Sequence, residues 1–321
     1  RLKLADFRQL PTRSKFIAFM PQWDFLNFLA QEAAVYPRFR LKMSAEATAL
    51  TRDGDRVVGL QAATAEGPIE VRADLVVAAD GRGSCLRDQS QLPLLDHGAP
   101  MDVLWFKLPR GGLQGPQPLG RFAGGQILIL IDRGDYWQAG YIIAKGALEA
   151  VKAAGFDSFR QRIAEMAPAL EASLAALKDW SETSLLTVQV NRLERWSRPG
   201  LLCIGDAAHA MSPVAGIGIN LAIQDAVATA NLLALPLKEG RLGMADVEAV
   251  EQRRLRPARI TQRLQIMIQN QVIAGALEAG GLTRPPLILR LLTRLPLLRQ
   301  LPGRFIGLGI RPERPAAQLR R

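Results

Sequence analysis

The sequence has little of what several common site chemistries need. Two cysteines, Cys85 and Cys203, without C-x-x-C spacing cannot build a disulfide framework, and they point to a reducing compartment, the cytoplasm. Two histidines, His97 and His209, cannot assemble a histidine-rich metal centre, so no metal is expected. No apolar run reaches the roughly eighteen residues of a membrane span, and no signal peptide opens the chain. What is present is a globular composition, 48% hydrophobic and 22% charged over 321 residues. That excludes wholesale disorder and collagen-like repeats, and it allows two domains or one large one.

Acidic charge is scarce at one end. The chain carries a net +11, and residues 284–321 hold nine arginines, no lysine and a single acid, Glu313. Most of the excess is therefore local to the tail, and the body is nearly neutral. The tail is also leucine-rich and almost free of aromatic rings that could stack on bases, which argues against a nucleic-acid partner.

Periodicity sets out the architecture. Pro21-Gln22-Trp23-Asp24 followed by Phe25, Leu26, Phe28, Leu29 and Ala33 reads as a loop feeding an amphipathic helix. Residues 41–50 and 56–65, divided by Asp53-Gly54-Asp55, read as a hairpin, and residues 69–72 as a further short strand. The continuous apolar runs at 73–79 and 201–204 suit strands buried on both faces, each ending in a Gly/Asp pair. Between them, residues 103–108, 126–131 and 136–144 read as an antiparallel sheet, 147–179 as helix and 185–190 as strand. Residues 217–235 and 245–280 read as long helices, and 286–308 as shorter helical pieces broken by Pro296 and Pro302. The order describes an α/β (α+β) chain in which a nucleotide-type domain is interrupted by a β-rich one.

Two loops carry the chemistry. Gly205-Asp206-Ala-Ala-His209, continuing through Pro213, Gly216, Ile217, Gly218 and Ile219 to Asn220, lies between a buried strand and a helix. Asp206 then sits at the strand's carboxyl end, where ligands bind in open α/β sheets, and can accept hydrogen bonds from sugar or ribityl hydroxyls. Gly216 and Gly218 are expected to allow positive φ and close backbone approach, exposing N–H groups and a helix N-terminus. His209 alone makes no catalytic constellation and reads as a packing residue. The second loop, Asp80-Gly81-Arg82-Gly83-Ser84-Cys85-Leu86-Arg87, again ends a strand in Asp-Gly. Ser84 is placed to cap a helix, and Arg87 can reach phosphate or hold the loop by an ion pair.

The strings D-x5-DG-x2-S-x2-R at 74–87 and GDAAH-x3-P-x2-G-x-G-x-N at 205–220 resemble the second and third motifs of the class A FAD-dependent aromatic monooxygenases, the para-hydroxybenzoate and ubiquinone-biosynthesis hydroxylases among them. The resemblance covers most of residues 15–310. It implies a GR2-type Rossmann-like FAD domain with an inserted antiparallel substrate domain and C-terminal helices. The first FAD part would be 1–98, the substrate domain 99–190, the second FAD part 191–283 and a basic tail 284–321. It also implies NAD(P)H, O2 and an aromatic or quinol-like substrate hydroxylated through a flavin hydroperoxide, the chemistry belonging mostly to the cofactor. A related reductase, a halogenase or a non-catalytic fragment of the fold are the alternatives.

By the same resemblance Asp206 binds the ribityl chain, Pro213 lines the flavin face where oxygen reacts, and the backbone of Gly216, Ile217, Gly218, Ile219 and Asn220 meets the pyrimidine edge. Gly205 opens that loop. Asp80 and Gly81 serve the FAD and pyridine-nucleotide junction with Arg87 in support, and Gln22 contacts phosphate or ribityl oxygens. Substrate-facing candidates are Trp105, Lys107, Trp137 and Tyr141, with Phe106, Gln126 and Gln138, although alternation cannot say which face is inward. The family's first motif, G-x-G-x-x-G after an opening strand, is not in this sequence, and a unit before Arg1 is expected to supply it. Arg290 and Arg294, four apart among leucines, suit either an interfacial segment on anionic lipid at the inner membrane face or a C-terminal clamp on the FAD domain. The prolines favour the clamp. A homodimer is left open.

Overall fold

The computed structural model describes residues 5–111, 119–123, 125–277 and 300–317. The first helix, α1 (Gln22–Ala34), follows Pro21 at its N-cap and buries none of its residues. A meander follows, β1 (Ala45–Asp53), β2 (Arg56–Thr64) and β3 (Gly67–Arg72), antiparallel throughout and turning at Gly54 and Asp55. The three-residue β4 (Val76–Ala78) leads into α2 (Cys85–Ser90), which begins where Ser84 Oγ accepts the Arg87 N–H. Next come β5 (Leu94–Asp96), β6 (Met101–Pro109), β7 (Gly120–Ala123), β8 (Gln126–Asp132) and β9 (Tyr136–Ala144). Helices α3 (Leu148–Ala153), α4 (Phe156–Met166) and α5 (Glu171–Leu174) precede β10 (Thr183–Leu186), β11 (Asn191–Leu193), β12 (Ser197–Arg198) and β13 (Leu201–Cys203). The short α6 (Asp206–His209), then α7 (Gly218–Lys238), α8 (Met244–Ile268), α9 (Ala274–Leu277) and α10 (Gln300–Leu308) complete the described chain.

These elements form two compact units. The first comprises residues 1–39, 99–188 and 267–307, the second residues 40–98, 189–266 and 308–321. In the first unit the sheet order is β10-β6-β9-β8-β7, all antiparallel. Its core forms where alternate residues of β6, β8 and β9 meet α4 and the segment after it: Leu104, Phe106, Leu108, Leu128 and Trp137 pack with Phe159, Ile163, Met166, Leu170, Leu174 and Leu177. That helical ladder is the one expected at 147–179. It is broken at Pro168 into several pieces instead of running through.

In the second unit, β12, β13 and β4 form a sheet in which β13 and β4 are parallel, Leu201 opposite Val76 and Cys203 opposite Ala78. The expectation of strands buried on both faces holds for β13, whose three residues are fully buried. It fails for β4, an edge strand that keeps Val76 and Ala78 inside and turns Val77 outward at 39% exposure. Around this pair pack Trp196, Ile204, Ala207, Met211, Leu221, Val247 and Val250.

Two other expectations shift. The strand at 185–190 ends at Leu186, because the Val188 N–H is taken by Asp102 Oδ1 at 2.9 Å and no longer serves a ladder. The helix expected over 245–280 runs to Ile268 and continues as a π-turn at Gln269–Ile273 before α9. The arginine-leucine run around Arg290, Arg294 and Pro296 lies outside the described residues, and Pro302 sits in the first turn of α10.

Candidate functional site

Parallel pairing of β4 and β13 brings the two Gly/Asp loops to one edge of the second unit's sheet, since both strands end there. Asp80 is fixed by its own helix: its carboxylate accepts from Ser84 Oγ at 2.5 Å and from the Leu86 N–H at 3.4 Å. Arg87 is buried, and its guanidinium donates to the Arg82 carbonyl at 3.0 Å and to Asp88 at 2.9 Å. Of the two roles open to Arg87 in the sequence, these contacts are those of a loop brace. Beyond the ends of the two strands, Arg82 Nη2 donates to Asp206 Oδ2 at 3.0 Å, while Arg82 Nη1 is buried with no partner among the described residues.

Gly205 sits at φ 59° and ψ −142°, and a Cβ there would stand 3.0 Å from that of Ala222, so α7 packs closely over the strand-to-helix turn. The Gly205 N–H donates to Asp225 Oδ2 at 3.1 Å. Asp225, fully buried on α7, also meets His209 Nε2 at 2.5 Å and accepts from Arg254 Nε at 2.9 Å. Burial alone would raise the Asp225 pKa, but the charges and hydrogen bonds of His209 and Arg254 outweigh it and hold the carboxyl below its ordinary range. His209 is thereby a core residue held through Nε2, its ring 4.8 Å from that of Trp196.

The loop between α6 and α7 is held from α8. Gln265 Nε2 donates to the carbonyls of Ser212 and Val214, both at 2.9 Å, and Gln262 Nε2 to that of Ala210 at 3.0 Å. Pro213 is half-buried on this loop, and its carbonyl accepts the Gly216 N–H at 3.0 Å. The positive-φ pair is Ala215 (64°) and Gly216 (62°), whereas Gly218 has the helical backbone of the first residue of α7. Thus the freedom expected at Gly218 is used at Ala215, a strained position for a residue with a Cβ. Ile217 is buried, Ile219 and Asn220 are exposed, and no side chain caps α7. Its first N–H groups and the positive end of its dipole therefore face outward. The Asp206 carboxylate lies beside them, with Oδ1 4.0 Å from the point a Cβ on Gly218 would occupy.

The other candidates belong to the first unit. Gln22 is exposed on α1 in the first unit. The four substrate candidates divide between two faces of the first unit's sheet. Trp105 and Lys107 point one way, Trp105 half-buried and Lys107 exposed. Trp137 and Tyr141 point the other way into the core, 2% and 3% exposed, with Phe106. Trp137 Nε1 donates to the Arg110 carbonyl, and Tyr141 stacks edge-on against Phe159 at 5.4 Å. Burial raises the Tyr141 phenol pKa. Reading Trp137 and Tyr141 as substrate-facing is corrected: the helical ladder seals their face.

Sequence reasoning passed over Arg82, Asp225, Gln262 and Gln265. Asp225 left one signal, a lone carboxylate within an otherwise apolar helix. That helix, with its preceding turn (Val214–Lys238), is long and apolar enough by length and composition to cross a membrane, yet Asp225 midway along it is ion-paired inside the second unit.

A model of the FAD binding domain family matches residues 2–263, most of the chain. The chain belongs to this family of FAD-dependent aromatic monooxygenases. Among its relatives is 6-methylpretetramide 4-monooxygenase of Streptomyces rimosus, 31% identical over 300 residues, covering 92% of this chain and 70% of that protein. A 12-dehydrotetracycline 5-monooxygenase/anhydrotetracycline 6-monooxygenase of Streptomyces rimosus subsp. rimosus is 28% identical over 235 residues, 69% of this chain and 45% of the relative. Among solved structures, the OxyS anhydrotetracycline hydroxylase from Streptomyces rimosus superposes with a TM-score of 0.71 at 24% identity, over 95% of this chain and 60% of that one. That likeness establishes the fold, and the chain spans only part of each relative. The residues fit the family's cofactor: Arg82 Nη1 is a buried donor without an acceptor among the described residues, Asp206 Oδ1 is an acceptor on the side of Gly218, and no side chain caps the α7 N–H groups.

Proposed function

We propose that this flavoprotein hydroxylates an aromatic ring with O2 and NAD(P)H, FAD being held in the second unit and the substrate domain being built on the β6–β10 sheet. The observation that carries the reading is the Asp206 carboxylate, pinned through Oδ2 by Arg82 at the mouth of β13 and set beside the uncapped start of α7. Bound FAD would supply the redox chemistry, taking a hydride from the nicotinamide and delivering an oxygen atom from O2 to the ring. The chain's own residues bind and orient. Asp206 accepts from ribityl hydroxyls, Asp80 and Gly81 shape the adjacent loop, and the N–H groups from Gly218 to Asn220 favour negative charge on the ring system. Pro213 closes one side without offering a proton. The relatives that match two thirds or more of this chain are named for 6-methylpretetramide and tetracyclines, which favours a multi-ring substrate over the single-ring one of the kynurenine 3-monooxygenases that match about half of it.

We place the protein in the cytoplasm, with its C-terminal segment as a clamp on the FAD domain. The decisive experiment combines two readings. The purified protein should show flavin absorption, and NAD(P)H oxidation with a panel of phenols and fused-ring polyphenols should yield a product heavier by one oxygen. Oxidation without any oxygenated product would favour a reductase; a halogenated product with added halide would favour a halogenase. A colourless protein would overturn the reading. Asp206→Ala should lower FAD affinity by roughly tenfold or more, the loss of a charge-assisted hydrogen bond.

A further inference from the structure

We propose that Arg82 anchors the flavin: one amino group of its guanidinium fixes the Asp206 carboxylate, and the other donates to an oxygen of the ribityl–pyrophosphate chain. The proposal rests on the flavin reading given above, and nothing in the motif resemblance assigns Arg82 a role.

Arg82 is aimed before any ligand arrives. Its main-chain carbonyl is gripped by the buried Arg87 guanidinium at 3.0 Å, and the loop ahead of it is closed by Asp80 with Ser84 and the Leu86 N–H. From that fixed backbone the side chain reaches Asp206 across 124 residues of sequence, Nη2 to Oδ2 at 3.0 Å. The two side chains keep 33% and 29% of their surface, so the pair is too wet to contribute much to stability. Its consequence is geometric. With Oδ2 engaged, the oxygen left to a ligand is Oδ1, on the side of Gly218.

Meanwhile Arg82 Nη1 is shut from water without an acceptor among the described residues. A guanidinium carries its donors in a planar fork and does not lose its charge, so an idle buried N–H of this kind calls for an oxygen acceptor. Asp206 Oδ1 and Arg82 Nη1 are therefore the acceptor and the donor that this ion pair leaves over. A polyhydroxylated chain ending in phosphate can satisfy both, a hydroxyl giving its proton to Oδ1 and a hydroxyl or phosphate oxygen accepting from Nη1.

The test is FAD titration of flavin-stripped protein, followed by the change in flavin fluorescence and absorption, for wild type, Arg82→Lys, Arg82→Ala, Asp206→Ala and the Arg82→Ala/Asp206→Ala pair. Arg82→Ala and Arg82→Lys should each raise the Kd about tenfold or more, because lysine can still face Asp206 but has no second donor in the fork. The double variant should lose less than the product of the single losses, since each residue acts partly through the other. Should Arg82→Ala fail to fold, judged by its melting temperature and circular dichroism, Arg82→Lys decides. Wild-type Kd values in the Arg82 variants alongside weakened binding in Asp206→Ala would overturn the proposal and leave the flavin reading standing. A wild-type protein that does not bind FAD would overturn that reading, and this proposal with it.

Discussion

Asp225 and Arg254, both fully buried, meet at 2.9 Å, and the same carboxylate accepts the N–H of Gly205, the residue that starts the turn carrying Asp206. An ion pair inside the core thus sets the backbone of a surface loop. Arg254 in turn donates to the Arg311 carbonyl and lies 3.5 Å from Glu313, which Arg253 also holds. The segment after α10 is therefore tied to the same node.

Removing one partner leaves the other charged and unpaired. Arg254→Ala should cost about 3–5 kcal/mol of stability, measured by urea denaturation. Because the folded Asp225 carboxyl is held below its ordinary range, its contribution is complete above the unfolded carboxylate pKa of about 3.9 and is lost as pH falls below that. Melting temperatures from pH 7 to pH 3 should fall more steeply for wild type than for Asp225→Asn, which starts lower and lacks this titration.

Gly205→Ala should damage the cradle selectively. The new Cβ would combine a positive-φ, extended-ψ backbone essentially restricted to glycine, costing about 1–3 kcal/mol, with a 3.0 Å approach to Ala222. FAD affinity is expected to fall more than the global melting temperature, because the shift is concentrated at the turn that aims Asp206. Equal losses in both would count against this placement.

In the first unit, a Cβ on Gly140 would stand 2.8 Å from the Trp105 ring, so Gly140→Ala should displace that ring. Tryptophan fluorescence should change and stability should fall by about 1–3 kcal/mol, the usual cost of overpacking. If Trp105 faces the substrate, as the sequence expects, KM for the aromatic substrate should rise with flavin affinity unchanged.

Asp102 ties the ends of the first unit's sheet, accepting from Lys145 Nζ at 2.8 Å and from the N–H groups of Gly146 at 3.0 Å and Val188 at 2.9 Å. Burial alone would raise its pKa, but these donors together hold it down. Asp102→Ala removes the acceptor of two backbone N–H groups, while Lys145 Nζ keeps the Val188 carbonyl. It should destabilise by about 2–4 kcal/mol, with hydrogen exchange quickening first at Gly146 and Val188.

How much of this was legible differs from element to element. The hairpin at Asp53-Gly54-Asp55 and the antiparallel run from Met101 to Ala144 could be read from alternation and turn residues, because their partners are near in sequence. The ladder Ile163, Met166, Leu170, Leu174, Leu177 was visible as spacing, yet its breaks at Pro168 were not placed. Within the site, Asp206 and Asp80 announced themselves as Gly/Asp pairs ending apolar runs. Arg82 stood inside one of the quoted strings with nothing to mark it, since its partner lies 124 residues away.

The sequence by itself determined the α/β plan, the two Gly/Asp loops and their family. A Gly/Asp pair at the end of a buried strand and a following helix are local events, governed by backbone freedom and apolar periodicity. Only the tertiary structure decided that Trp137 and Tyr141 face the core while Trp105 and Lys107 do not. Strand alternation gives two faces and leaves unnamed the one that α4 and its neighbours will cover. It also decided that Arg82 holds Asp206 and that Asp225 holds Gly205, because the parallel pairing of β4 with β13 and the packing of α7 and α8 set distances that no spacing along the chain encodes.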